Sequence, residues 1–209
     1  MTRLGIITLA IAALGACGKK DDGGGKAADK SAGNGNASIG TIDVAACNAA
    51  VPPELKDKIV FEKRDFKIEQ GRHPTTYTLA APKNWTQESK MFAHIKGDDK
   101  AGFFTTLKIG ADCDGECKPK QWEQIADKNF FQPRKADGKV VKDTASLGKR
   151  TMIVDVDKSG VKSRDVVVAW WTDGAKSYHT CVASLDDSIK DAAVAFETAC
   201  SAVTIDGDD

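Results

Sequence analysis

The sequence predicts an α+β fold, an antiparallel β-sheet with packed helices, formed by residues 41–209 as a single domain. Three observations predict it. Short runs with period-2 alternation recur between turn residues, most clearly from Thr151 to Leu185. Apolar residues recur at helical spacing in two stretches, around Trp122 and from Ile189 to Val203. The order is a strand-rich half, a helix, three meandering strands and a second helix, rather than a regular β–α alternation. At 169 residues, this stretch is large enough to bury a core.

Two segments precede the domain. Arg3 gives residues 1–16 a positive start, and Leu4 to Leu14 is an uncharged apolar run. That run is shorter than the roughly 20 residues a membrane span needs, and has the length of a signal-peptide core. Leu14-Gly15-Ala16-Cys17 follows and resembles the lipobox of bacterial lipoproteins. The resemblance implies cleavage between Ala16 and Cys17, acylation of Cys17, and attachment to a lipid membrane of the cell envelope. Gly18, rather than Asp, follows the cysteine; by the same resemblance the outer membrane is the expected destination. Residues 17–40 then read as the lipidated Cys and a flexible linker. Seven of the chain's 19 Gly lie between Gly18 and Gly40, aromatics are absent, and Ile39 is the only large apolar residue. Such a segment buries too little surface to offset its ordering entropy and should span roughly 25–30 Å.

Within the domain, Asp43 to Val51 reads as a short helix broken by Pro52-Pro53, with a further turn over Glu54 to Lys58. Ile59 to Glu69 and Thr76 to Ala80 read as strands around a turn at Gly71-Arg72-His73-Pro74. Phe103 to Ile109 alternates as a strand. Pro119 suits a first helical turn, and Trp122, Ile125, Ala126 and Phe130 form a stripe expected to stop before Pro133. Val140-Val141 is short and β-like. Thr151 to Val156 and Asp165 to Thr172 flank the turn Asp157 to Gly160 as a hairpin, and Tyr178 to Leu185 follows as a strand. Asp186-Asp187-Ser188 signals the start of the last helix, whose stripe runs Ile189, Ala192, Ala193, Phe196, Ala199, Cys200 and Val203. Val203 to Ile205 forms a short tail.

Tyr77-Thr78-Leu79-Ala80-Ala81-Pro82-Lys83-Asn84-Trp85 resembles the aromatic–x–aliphatic–x–x–Pro–x–x–Trp entry of PsbP/Mog1-like domains. The likeness extends over about residues 60–205, through the hairpin strands and the final amphipathic helix. It implies an antiparallel sheet with helices and a role in binding or assembly rather than catalysis.

The six cysteines are 17, 47, 113, 117, 181 and 200. With Cys17 assigned to lipid, five remain for an oxidising compartment, and one is left over. Cys181 shares a strand face with Ala183 and Leu185, while Cys200 lies on the helical stripe that returns across it. Cys181–Cys200 is therefore the favoured bridge. Cys113 and Cys117 are close enough for a loop disulfide that leaves Cys47 over; the competing arrangement joins Cys47 to Cys113 or Cys117.

Charge and motifs exclude several functions. Lys and Arg number 30, as do Asp and Glu, so nucleic acid is not an expected partner. There is no Gly-x-Ser-x-Gly elbow, no phosphate-binding Gly-rich loop and no dinucleotide fingerprint. His73, His94 and His179 are not spaced to share a metal, so no catalytic residue, metal or cofactor is expected. Asp112-Cys113-Asp114-Gly115-Glu116-Cys117 admits thiol-redox chemistry, a calcium loop, a zinc site with ligands from afar, or a disulfide-pinned turn. Trp170 and Trp171 point to opposite faces of a strand, with Trp171 opposite Tyr178 and Trp170 opposite His179. On a bare sheet face Trp170, Trp171 and Tyr178 are a candidate surface for a glycan, peptide or partner; under two covering helices they are core. The expectation is a membrane-anchored envelope lipoprotein whose domain is a non-catalytic binding or assembly module for an envelope partner. The alternatives are a thiol-redox protein using Cys113 and Cys117, or a calcium- or glycan-binding surface protein.

Overall fold

The computed structural model describes residues 38–69, 74–90, 93–97, 105–112, 121–172 and 177–207. All belong to one unit, Gly33–Asp209. The architecture is mixed α+β, with two antiparallel sheets where the sequence led us to expect one.

The first helix, α1 (Val44–Ala49), begins where the Asp43 carboxylate accepts from the Ala46 amide at 2.9 Å, and Pro52 bars its continuation. A single 3-10 turn, Pro53–Leu55, follows. The Asn48 side chain then pairs with Phe61 as a strand residue would. Its Nδ2 donates to the Phe61 carbonyl at 2.9 Å and its Oδ1 accepts the Phe61 N–H at 2.7 Å. This ties α1 to the start of β1 (Phe61–Ile68).

β1 pairs with β2 (Thr75–Pro82) in register from Phe61–Pro82 to Ile68–Thr75. At Pro82 the chain leaves this sheet. Arg64 donates to the carbonyls of Pro82 and Trp85 and holds the corner. Beyond it lie β3 (Thr86–Gln87), β4 (Ala93–Lys96) and β5 (Thr106–Asp112), all in the second sheet. His94 is a strand residue: β4 pairs with β5, and backbone pairing forms so short a strand without a visible alternation.

The helical segment after residue 120 departs from expectation. α2 (Trp122–Ala126) passes into a π turn, Asp127–Phe131, and then α3 (Gln132–Asp137), so the helix runs past Pro133. Pro133 sits in the first turn of α3, where its missing N–H costs little. The wide turn also changes which aromatic faces inward. Phe131, five residues after Ala126, is fully buried, and Phe130 only partly.

A meander of β6 (Gly138–Ser146), β7 (Lys149–Lys158), β8 (Val161–Trp170) and β9 (Tyr178–Asp186) completes the second sheet, in order β3-β4-β5-β9-β8-β7-β6. Ser159 and Gly160, both at positive φ, form the two-residue β7–β8 turn. β6 is nine residues long rather than the short Val140-Val141 piece, with a bulge at Val141. It is an exposed edge strand specified by hydrogen bonds to β7, so it carries no apolar alternation. A 3-10 turn (Lys190–Ala192) leads into α4 (Ala193–Cys200), and β10 (Val203–Asp206) joins β2 to complete the small sheet.

Two cores result. On one face of the large sheet, Ile153, Val166, Val168, Trp170, Cys181, Ala183 and Leu185 meet α1, α4 and the small sheet. On the other, Met152, Val154, Val167, Ala169, Tyr178 and Val182 meet Trp122, Ala126 and Phe131. Every residue of the expected last-helix stripe, from Ile189 to Val203, is buried, but the α-helix holds only Ala193 to Cys200: Ile189 and Ala192 belong to the preceding 3-10 turn and its cap, and Val203 to β10. Ser38 and Ile39, before Gly40, bond to β10. Ile39 exchanges backbone hydrogen bonds with Val203, each 2.8 Å, and the Ser38 hydroxyl accepts from the Ile205 N–H at 2.8 Å. Ile39 is the linker residue with apolar surface to bury, and it packs on the core.

Candidate functional site

Cys181 and Cys200 form a disulfide, as their shared face implied. Both are fully buried, and the bridge pins α4 to β9. Cys47 carries a buried free thiol pushed up to about 11, first by burial and then by the Asp43 charge. It is therefore a packed apolar side chain rather than a nucleophile. Ala16, Cys17, Cys113, Cys117 and His73 lie outside the described residues.

The aromatic set does not make one exposed face. Trp170 and Tyr178 are fully buried, in opposite cores, because α4 and the α2–α3 segment each cover a face. Trp171 lies beyond the end of β8, half-buried, its N–H donating to the Gly148 carbonyl at 2.8 Å. The expected pairing of Trp170 with His179 is present, with the rings stacked 5.5 Å apart. His179 is buried, with Nδ1 3.5 Å from the Tyr77 hydroxyl. Gly148 is at φ +72°, and a Cβ there would lie 2.7 Å from the Trp171 carbonyl oxygen. Gly148→Ala is thus expected to cost about 1–2 kcal/mol, measurable by urea unfolding.

Charged residues form pairs around α2–α3 and the meander. Arg150 lies over the Phe131 ring, 4.3 Å from its centroid, between Asp127 and Asp143. Arg134, on α3, donates through Nε to Asp165 of β8 at 2.8 Å and through Nη1 to the Phe130 carbonyl at 2.9 Å. Arg164 grips Asp155 with two nitrogens, at 2.6 and 3.1 Å. One signal for these was available: Asp165 opens the run Val166-Val167-Val168 on a strand, and a carboxylate so nearly buried needs a cation.

The Arg150 hydrogen bonds hold the Asp143 carboxyl below its usual value, with Lys135 adding to the effect and burial opposing it. A depressed folded-state pKa contributes stability above the unfolded value of about 3.8–3.9 and loses it as pH falls through the folded value. Unfolding free energy should therefore fall below about pH 4, and Asp143→Asn should flatten that slope. Urea titrations from pH 5 to pH 2 check this.

Three concavities surround these pairs. One, about 340 Å³, opens over Trp122, Ala126 and Phe131, with Asp143, Lys149 and Arg150 on its rim. A second, about 420 Å³, is lined by Lys139, Asp155, Lys162, Asp187 and Lys190 among others, with Asp187 and Lys190 paired at 2.7 Å. The third, about 600 Å³, opens between α3 and the β7–β8 hairpin. Among the described residues no cluster of three His, Cys, Asp or Glu is placed to hold a metal, and no helix is long and apolar enough to cross a membrane. The described side chains around these hollows are arranged for ion pairing and hydrogen bonding. No family model matches the chain, and no curated protein matches it.

Proposed function

We propose that the chain is an acylated envelope lipoprotein, anchored through Cys17, whose domain is a non-catalytic binding or assembly module. The observation that carries the reading is the buried Cys181–Cys200 bridge, in a domain joined by a Gly-rich segment to a lipobox-like cysteine. Structural disulfides persist in oxidising compartments, which is where a processed lipobox delivers a protein. Two or more acyl chains, at about 0.8 kcal/mol per buried methylene, hold such a protein stably in a bilayer. The outer membrane is the proposed site, on Gly18.

The proposed fold relationship is to PsbP/Mog1-like modules. In its favour, the Tyr77–Trp85 motif forms the end of β2 and the corner between the sheets, and Trp85 packs on Phe196 at 5.2 Å. A large antiparallel sheet with helices on both faces also fits. The concave, hydrogen-bonding surface around α3 supports a binding role.

The test is the intact mass of the protein from envelope fractions, alkylated in denaturant before and after reduction. Expected are acyl mass on Cys17, alkylation of Cys47 alone without reductant, and alkylation of Cys113, Cys117, Cys181 and Cys200 after it. An unacylated mass overturns the anchor. Cys113 and Cys117 reacting without reductant would bring the redox alternative forward.

A further inference from the structure

We propose that the hollow between α3 and the β7–β8 hairpin is a binding site for a small neutral aliphatic molecule bearing a vicinal-diol or polyol head. The inference names the ligand class of the module proposed above and rests on that reading.

Strand register assembles the floor. Asp165 and Ser184 are directly opposed on β8 and β9, and Ser163 lies two residues from Asp165 on the same face. All three line the hollow beside Arg134. Arg134 uses Nε on Asp165 Oδ2 and Nη1 on the Phe130 carbonyl. Among the described residues nothing hydrogen-bonds to Asp165 Oδ1, Arg134 Nη2 or either serine hydroxyl. The floor therefore presents one acceptor, one cationic donor and two hydroxyls that do both. Pro133, Val156 and Val161 form an apolar wall, and Asp137, Lys158 and Ser159 complete the lining. A hollow that sets an aliphatic wall beside convergent polar groups is a usual form of a small-molecule site, and about 600 Å³ lies in the range of such sites.

The charges select the class. Arg134 offsets Asp165 in the floor, and Lys158 lies 3.7 Å from Asp137 at the rim. A carboxylate would meet the second, solvent-reached oxygen of Asp165, and an ammonium would meet Arg134. A head that donates to Asp165 Oδ1 and accepts from Arg134 Nη2 satisfies both, and adjacent hydroxyls do this while reaching Ser163 and Ser184. No aromatic ring is among the described lining residues, so the walls suit an alkyl chain better than a planar ring.

The experiment uses the full-length chain carrying Cys17→Ser, so that no acyl group competes for the hollow. It is titrated with 1,2-hexanediol, hexanoate and hexylammonium, and binding is read by saturation-transfer NMR. Saturable diol binding in the millimolar range is expected, with both charged analogues at least about tenfold weaker. The Ser163→Val/Ser184→Val double variant, its fold checked by an unchanged melting temperature, should lose about tenfold or more. No saturable diol binding, equal binding of the three probes, or undiminished binding by the double variant overturns the proposal. A failed anchor is read separately, from the mass at Cys17, and leaves this titration unaffected.

Discussion

Phe196→Ala is expected to lower the unfolding free energy by about 3–5 kcal/mol. Phe196 is fully buried on α4. Its ring meets Phe61 edge-on at 5.1 Å and Trp85 at 5.2 Å. It therefore joins three elements: the start of β1, the corner after β2, and α4. The substitution removes the transfer energy of the ring and leaves a cavity between two sheets that cannot close around it. α4 contributes little on its own behalf, since a helix of eight residues is not stable in isolation. Urea unfolding followed by tryptophan fluorescence measures the loss. A change under 1.5 kcal/mol would mean that α4 repacks freely and that the two-sheet core is less rigid than its geometry implies.

The second large effect is removal of the bridge. The Cys181→Ala/Cys200→Ala double variant is expected to lose about 3 kcal/mol. The cysteines are 19 residues apart, and opening a loop of that size restores roughly this much entropy to the unfolded chain. For a domain of this size the melting temperature should fall by roughly 6–12 °C. Both sulfurs are buried, so lost packing adds to the entropic term rather than offsetting it. Phe196 and Cys200 are one helical turn apart and act on the same helix, so their effects should not be independent. Losses of about 3–5 and about 3 kcal/mol together approach the whole stability of an ordinary domain. The reduced Phe196→Ala protein is expected to be largely unfolded at 25 °C, visible as lost near-ultraviolet circular dichroism. A folded reduced variant would show that β10 and α1 hold the core without α4.

Local, periodic features were legible. The short helix from Asp43, the Pro52 stop, the Tyr178–Leu185 alternation and the buried face from Ile189 to Val203 each depend on neighbours within a few residues. Cys181–Cys200 could be inferred because both partners lie on faces that periodicity defines. What escaped was non-local or irregular. β6 has no apolar alternation because its partner is a strand and not a core. The π turn moves burial from Phe130 to Phe131 without any change in residue type that announces it. The candidate site was not read from the sequence: Asp165 figured only as the start of a strand, and its partner Arg134 is 31 residues away on another element.

The sequence by itself determined the class of fold, most strand and helix positions, the last-helix face and one disulfide. Each follows from the 2-residue and 3.6-residue periods, or from residues whose backbone chemistry starts or stops an element. The tertiary structure alone decided that the strands divide into two sheets and that Trp170 and Tyr178 are buried in opposite cores. It alone brought Arg134, Ser163, Asp165 and Ser184 to one hollow. The reason is physical: a strand's period states that one side is apolar, but not which element will cover it. That depends on contacts between segments far apart in the chain, which no local pattern encodes.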